Sequence, residues 1–168
     1  MSPTMSTHPS HYGLLSRDDA ARRCHVERIR GGKIVFTNGV FDILHRGHLD
    51  YLRRARDLGS MLVVGLNSDD SVRRIKGLKR PLFSAEDRAV ALTALRFVDI
   101  VVIFDEDTPQ TLIETLNPHV LVKGGDYLAE NVVGYDHVTK NGGQVIVIPF
   151  KEGYSTSGLI RTIVERYR

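Results

Sequence analysis

Five short apolar runs rich in β-branched residues, at 33–37, 61–67, 98–104, 120–123 and 144–150, are each bounded by Gly, Asn, Asp or Pro. Between and after them lie stretches of helical periodicity at 47–58, 85–96, 109–116, 131–141 and 157–167, and one more precedes them at 16–29. This alternation constrains the fold more than any other feature. Two parallel strands joined in sequence need a crossover of a dozen or more residues, which a helix supplies. Strands that are apolar throughout, rather than on alternate residues, belong to a sheet covered on both faces. The pattern therefore predicts an α/β chain with a doubly wound, five-stranded, mainly parallel sheet. Local signals agree: Ser84 before Asp87 and Ser16 before Asp19 read as capping pairs, and Asp107-Thr108-Pro109 reads as a capped helix start.

A chain of 168 residues is enough for one core, so residues 14–168 are expected to form a single domain. The Ser/His/Pro-rich stretch 1–13 is expected to be a loose tail. Apolar residues at 42% and charged residues at 26% are ordinary for a globular chain. No apolar run reaches the roughly 18–20 residues a membrane helix needs, and the start has no signal-peptide centre; a cytoplasmic chain with no membrane partner is expected. Cys24 is the single cysteine, which leaves no internal disulfide and no cysteine-built zinc site.

The charge is uneven. Lys and Arg number 23 against 20 Asp and Glu, a net +3, yet residues 73–80 (RRIKGLKR) hold five basic groups and no acidic one. A nucleic-acid binder spreads its basic residues along a face. One short cationic segment suits a small polyanion, so no nucleic-acid partner is expected.

Ligands of open α/β sheets bind beyond the carboxyl ends of the strands, where strand order reverses. After the first strand comes Thr37-Asn38-Gly39-Val40-Phe41-Asp42-Ile43-Leu44-His45-Arg46-Gly47-His48. Glycines at 39 and 47 allow backbone amides to approach a ligand, and the helix start that follows offers free N–H groups to an anion. His45 and His48 can project from one side of that helix and donate to phosphate oxygens. A metal would want three or four such ligands, and nothing nearby completes the set. Tyr154-Ser155-Thr156-Ser157-Gly158 opens the last helix and could form a second phosphate cradle, although Ser155 alone reads as an ordinary N-cap. Asp105-Glu106-Asp107 could suggest magnesium, but capping of the following helix explains it better.

TNGVFDILHRGH, placed after the first strand, resembles the HxGH signature of the nucleotidyltransferase superfamily, and YSTSGLI resembles that superfamily's second, carboxyl-terminal motif. The resemblance implies a Rossmann-like nucleotidyltransferase fold. NSDDSVRRIKGLKRP, VDIVVIFDEDTPQTLI and VLVKGGDY narrow it: together they resemble the adenylyltransferase half of the bifunctional ADP-heptose synthases, from about residue 16 onward. The sugar-kinase half is absent from the sequence, which fits a stand-alone adenylyltransferase. What the resemblance implies is transfer of AMP from ATP to D-glycero-β-D-manno-heptose 1-phosphate, with release of pyrophosphate, in lipopolysaccharide core synthesis. Magnesium would accompany the ATP, and relatives are commonly homo-oligomers, dimers or larger.

On that reading His45, His48 and Lys76 are the catalytic candidates. Thr37, Phe41, Gly47, Gly124, Ser155 and Thr156 fall on the ATP side, and Asn38, Asp42, Arg80, Lys123 and Asp126 on the sugar-phosphate side, with Asp42 alternatively orienting a histidine. No protein-bound metal is expected. A cytidylyltransferase acting on a phosphorylated alcohol such as glycerol 3-phosphate is the alternative within the superfamily. Val40, where many of those enzymes carry threonine, and the KGGDY turn weigh against it. A non-catalytic ATP-binding module is the other alternative, disfavoured by intact His45, His48 and Lys76.

Overall fold

The computed structural model describes residues 13–126, 128–150 and 153–167. The predicted tail, apart from Gly13, lies outside the described residues. The chain order is α1 (Arg17–Ile29), β1 (Ile34–Gly39), α2 (Arg46–Arg56), β2 (Met61–Asn67), α3 (Asp69–Lys76), α4 (Ala85–Thr93), β3 (Ile100–Phe104), α5 (Gln110–Leu116), β4 (Val120–Gly124), a 3-10 turn (Ala129–Asn131), α6 (Tyr135–Lys140), β5 (Gln144–Ile148) and α7 (Thr156–Tyr167). The strands form one sheet in the order β3-β2-β1-β4-β5, and every pairing is parallel. From β1 the chain winds outward through β2 and β3, then returns to lay β4 on the other side of β1. The reversal point is therefore the β1–β4 pair.

Residues along each strand point alternately to the two faces. Ile34, Phe36, Met61, Val63, Ile100 and Val102 pack on one face against Ala20 and Cys24 of α1, Leu112, Ile113 and Leu116 of α5, and Val138 of α6. Val35, Leu62, Val64 and Val101 pack on the other against Leu52 and Ala55 of α2 and Ala89 and Leu92 of α4. Each such Leu, Ile or Phe removed from water contributes about 1.5–3 kcal/mol. At the β3 edge, Leu15 N–H donates to Val101 O and Val101 N–H to Gly13 O, so the chain just before α1 covers an otherwise open strand edge.

The structure departs from the sequence reading in three places. α3 was not expected. It is eight residues long, starts at the N-cap Ser68, and buries little beyond Ser71 and Val72, so its apolar period is too short to register. α5 starts from Pro109 with no side-chain cap. The Asp105-Glu106-Asp107 carboxylates expected to cap it bind elsewhere: Glu106 pairs with Arg17, Asp107 with Arg74, and Asp105 accepts from Ser68. α6 begins only at Tyr135, because residues 129–131 form a separate 3-10 turn. The expected caps Ser16 and Ser84 both accept the predicted amide, from Asp19 and Asp87. No helix among the described residues is long and apolar enough to cross a membrane.

Candidate active site

At the carboxyl ends of β1 and β4 a cleft of about 530 Å³ opens, with His48, Lys76, Lys123, Ser155 and Thr156 on its walls. Two helix starts meet there. His45 is the N-cap of α2, its ring nitrogen accepting from the His48 N–H at 3.4 Å. Ser155 caps α7, its hydroxyl accepting from Gly158 N–H at 3.0 Å. Gly47 permits their approach: a Cβ there would lie 3.0 Å from the Tyr154 Cβ and 3.1 Å from the His45 ring. Gly124 plays the matching part on β4, where a Cβ would come within 2.4 Å of the Phe150 ring.

The His45 and His48 rings are stacked, with centroids 3.8 Å apart. Phe41 also meets His48, in an edge-on contact at 5.3 Å. It does so from a left-handed backbone conformation, φ 46°, which a bulky residue adopts only where the surroundings enforce it. His48 Nδ1 is buried with no hydrogen-bond partner among the described residues, so Nε2 is the nitrogen a ligand in the cleft can meet. Burial, and then the neighbouring His45 ring, pushes His48 from the usual 6.5 down to about 4.

That shift has a measurable consequence for folding. His45 and His119 are also held below 6.5, chiefly by burial. Between about pH 6.5 and 4 the unfolded chain therefore binds more protons than the folded one, and stability must fall as pH drops through that window. Urea unfolding at pH 7 and pH 5 is expected to show the loss in the parent chain and a smaller loss in His48→Gln. An equal loss in both would place the linkage elsewhere.

The other cationic groups differ in how free they are. Lys76 is exposed at the end of α3. Lys123 is half-buried, donates to Asn38 Oδ1 at 3.4 Å, and is lowered by burial and then by Lys76 across the cleft. Arg80 is already paired, its Nε donating to Asp42 Oδ2 at 2.5 Å. Two like charges facing one cavity raise each other's energy until an anion enters between them.

Several candidate residues sit differently from expectation. Thr37 is fully buried beneath the cleft. Its hydroxyl and the Tyr51 hydroxyl lie 2.5 Å apart, and Tyr51 donates onward to Val122 O, so the Thr37 side chain fastens β1 to α2 and β4 rather than lining the cleft. Asp42 orients no histidine; its carboxylate takes Arg80 and the amides of Leu82 and Phe83. Burial raises the Asp42 carboxyl, but those donors outweigh it and leave it below the usual range. Asp126 lines a neighbouring pocket with Tyr154 and Ser155. Asn38 and Phe41 do line the main cleft. Sequence reasoning missed Tyr51, one turn beyond His48 on the same helix face, and Asn67 and Phe150, which also line it.

Among the described residues no three His, Cys, Asp or Glu side chains converge to hold a metal ion. The acidic groups at the cleft, Asp42 and Asp107, already face Arg80 and Arg74. These residues do not fit a protein-built magnesium site; magnesium arriving with a nucleotide would rest on phosphate oxygens and water.

The cytidylyltransferase-like family model matches residues 36–162, from within β1 through the cleft to the middle of α7. The chain belongs to the cytidylyltransferase-like family. Among its relatives, the bifunctional protein HldE of Pelobacter propionicus is 54% identical over 92% of this chain, and that of Syntrophotalea carbinolica is 57% identical over 84%. The chain spans 32% and 29% of those two proteins. Among solved structures, the lipopolysaccharide core biosynthesis protein of Thermoplasma volcanium matches with a TM-score of 0.61 and 28% identity, covering 74% of this chain and all of that one. Pantoate-beta-alanine ligase of Francisella tularensis matches with a TM-score of 0.59 at 13% identity, over 87% of this chain and 69% of its own, a likeness of fold. The fold is thus found in a protein that shares little sequence with this chain.

Proposed function

We propose that this chain transfers an adenylyl group from ATP to a sugar 1-phosphate, D-glycero-β-D-manno-heptose 1-phosphate, releasing pyrophosphate. The observation that carries this reading is the cleft itself. Two helix starts, His48 with His45 stacked on it, and two lysines meet there, and the carboxylates beside them are already paired. The identity of 54% and 57% with HldE chains supports heptose 1-phosphate as the acceptor.

The chemistry fits that set of groups. A phosphate monoester has its second pKa near 6 and is already a nucleophile at neutral pH, so no general base is needed. Its oxygen forms the new bond to the α-phosphorus while the bond from that phosphorus to the bridging oxygen breaks, and the electron pair leaves with pyrophosphate. The difficulty is the mutual repulsion of two polyanions, and cationic donors fixed in a cleft answer it by alignment and charge neutralisation. His48, stacked on His45, would meet the triphosphate. Lys76 and Lys123 would receive phosphate charge from opposite walls, and the α7 start with Ser155 and Thr156 would bind the nucleotide side. Magnesium bound to the triphosphate would further offset its charge.

The test is pyrophosphate release with heptose 1-phosphate and ATP, CTP, GTP or UTP in turn. ATP is expected to be preferred. Preference for CTP would assign the chain to cytidylyl transfer instead, and binding of ATP without turnover on any acceptor would leave a nucleotide-binding module.

A further inference from the structure

Arg88, midway along α4, has a side chain wholly withdrawn from solvent, an unusual place for a guanidinium. Each of its nitrogens has an acceptor. Nε donates to Phe83 O at 3.0 Å, Nη1 to Val40 O at 2.7 Å, and Nη2 to Asp69 Oδ1 at 2.7 Å. These acceptors come from three segments: the loop between β1 and α2, the first residue of α3, and the chain leading into α4. The rigid fork of the guanidinium fixes their mutual geometry as a flexible ammonium could not.

α3 is also tied to the turn after β3, through Ser68 and Arg74 to Asp105 and Asp107 and through Ser71 to the Glu106 carbonyl, but none of those contacts reaches the histidine-bearing loop. Eight residues are too few for a helix to be stable alone, and its buried side chains are Ser71 and Val72. Lys76 ends this helix and makes no hydrogen bond or ion pair among the described residues. Where its ammonium can reach is therefore set by where α3 is anchored.

We propose that Arg88, with Asp69 as its counter-ion, is a positioning residue for Lys76: it locks the start of α3 to the Val40 carbonyl, and so sets the ammonium at the far end of α3 against the histidine-bearing loop. This rests on the reading in which Lys76 meets a phosphate of the reacting pair. Arg88 touches no ligand; it acts through the helix. Misplacement of a reacting partner by about an ångström can cost on the order of 100-fold in rate, so a loosened anchor acts well before the fold is lost.

The test is a double-mutant cycle of Asp69→Asn with Lys76→Ala, read on pyrophosphate release and, separately, on ATP affinity by calorimetry. Asp69→Asn is expected to lower kcat roughly tenfold when Lys76 is present and less than about twofold when it is already alanine, the non-additivity of coupled residues. The melting temperature should fall equally in both backgrounds. Equal factors in both backgrounds would make the Asp69–Arg88 pair purely structural and overturn the proposal. Arg88→Lys, which keeps the charge and loses the fork, is expected to repeat the pattern; if it does not fold, Asp69→Asn still decides. Coupling in ATP affinity without turnover would defeat the adenylyl-transfer reading and leave the positioning role standing. Turnover with additive effects would do the reverse.

Discussion

His48→Ala is expected to lower kcat by roughly 100- to 1000-fold, the usual effect of removing one preorganised donor from a transition state that gathers charge. The melting temperature should stay within about 2 °C, since a change of 1 kcal/mol moves a domain of this size by only 2–4 °C. Stability is spared because His48 holds a buried, unpartnered Nδ1, and deleting an unsatisfied polar atom offsets part of the lost packing against Phe41 and His45. The ring matters in the complex rather than in the free protein. With its pKa near 4, it is neutral at pH 7 until phosphate charge enters the cleft and favours the imidazolium. His45→Ala provides the contrast: it removes the α2 N-cap, which costs about 1 kcal/mol, and so should lower both stability and activity. Pyrophosphate release and thermal unfolding on the two variants separate these cases. A His48→Ala chain turning over within about threefold of the parent would remove His48 from the chemistry, since a lost transition-state donor costs far more.

The sheet was legible in the sequence because its strands are buried on both faces and therefore apolar throughout, as β1 and β2 show with Ile34-Val35-Phe36 and Leu62-Val63-Val64. The positions of His45, His48, Ser155 and Thr156 were legible for a related reason. Each follows a strand end or opens a helix, and backbone topology alone brings such points to one edge of the sheet. What the sequence could not reveal was which polar groups the fold consumes internally. Thr37 and Asp42 stand in the same motif as the histidines, yet one faces Tyr51 and the other Arg80. Arg88 sits in a helix pattern that reads as solvent-facing, and only the loops around it show that it is enclosed. α3 was invisible because a single buried apolar side chain, Val72, gives no period.

Asp42→Ala should be among the most damaging substitutions to stability, at about 3 kcal/mol, the lower end of what breaking a buried ion pair costs. Its side chain is 0% exposed and that of Arg80 18%. Alanine leaves the guanidinium and the amides of Leu82 and Phe83 facing a cavity without an acceptor. For a chain of this length the melting temperature should fall by roughly 6–12 °C. Asp42→Asn keeps an acceptor for the amides but not the opposing charge, and should cost about half as much. The pH dependence distinguishes this site from the histidines. A carboxyl held below 3.8 contributes stability that is complete above 3.8 and is lost only as pH falls through its lower folded value, so between pH 7 and 5 its contribution is constant. Asp42→Ala should therefore lower the unfolding curve at pH 7 and pH 5 by the same amount and keep the histidine-driven slope, whereas His48→Gln should flatten that slope. Denaturant melts of both variants at the two pH values test this directly: an Asp42→Ala deficit that grows at pH 5 would mean the folded chain holds the Asp42 proton more readily than the unfolded one, so that Arg80 and the two amides do not outweigh its burial.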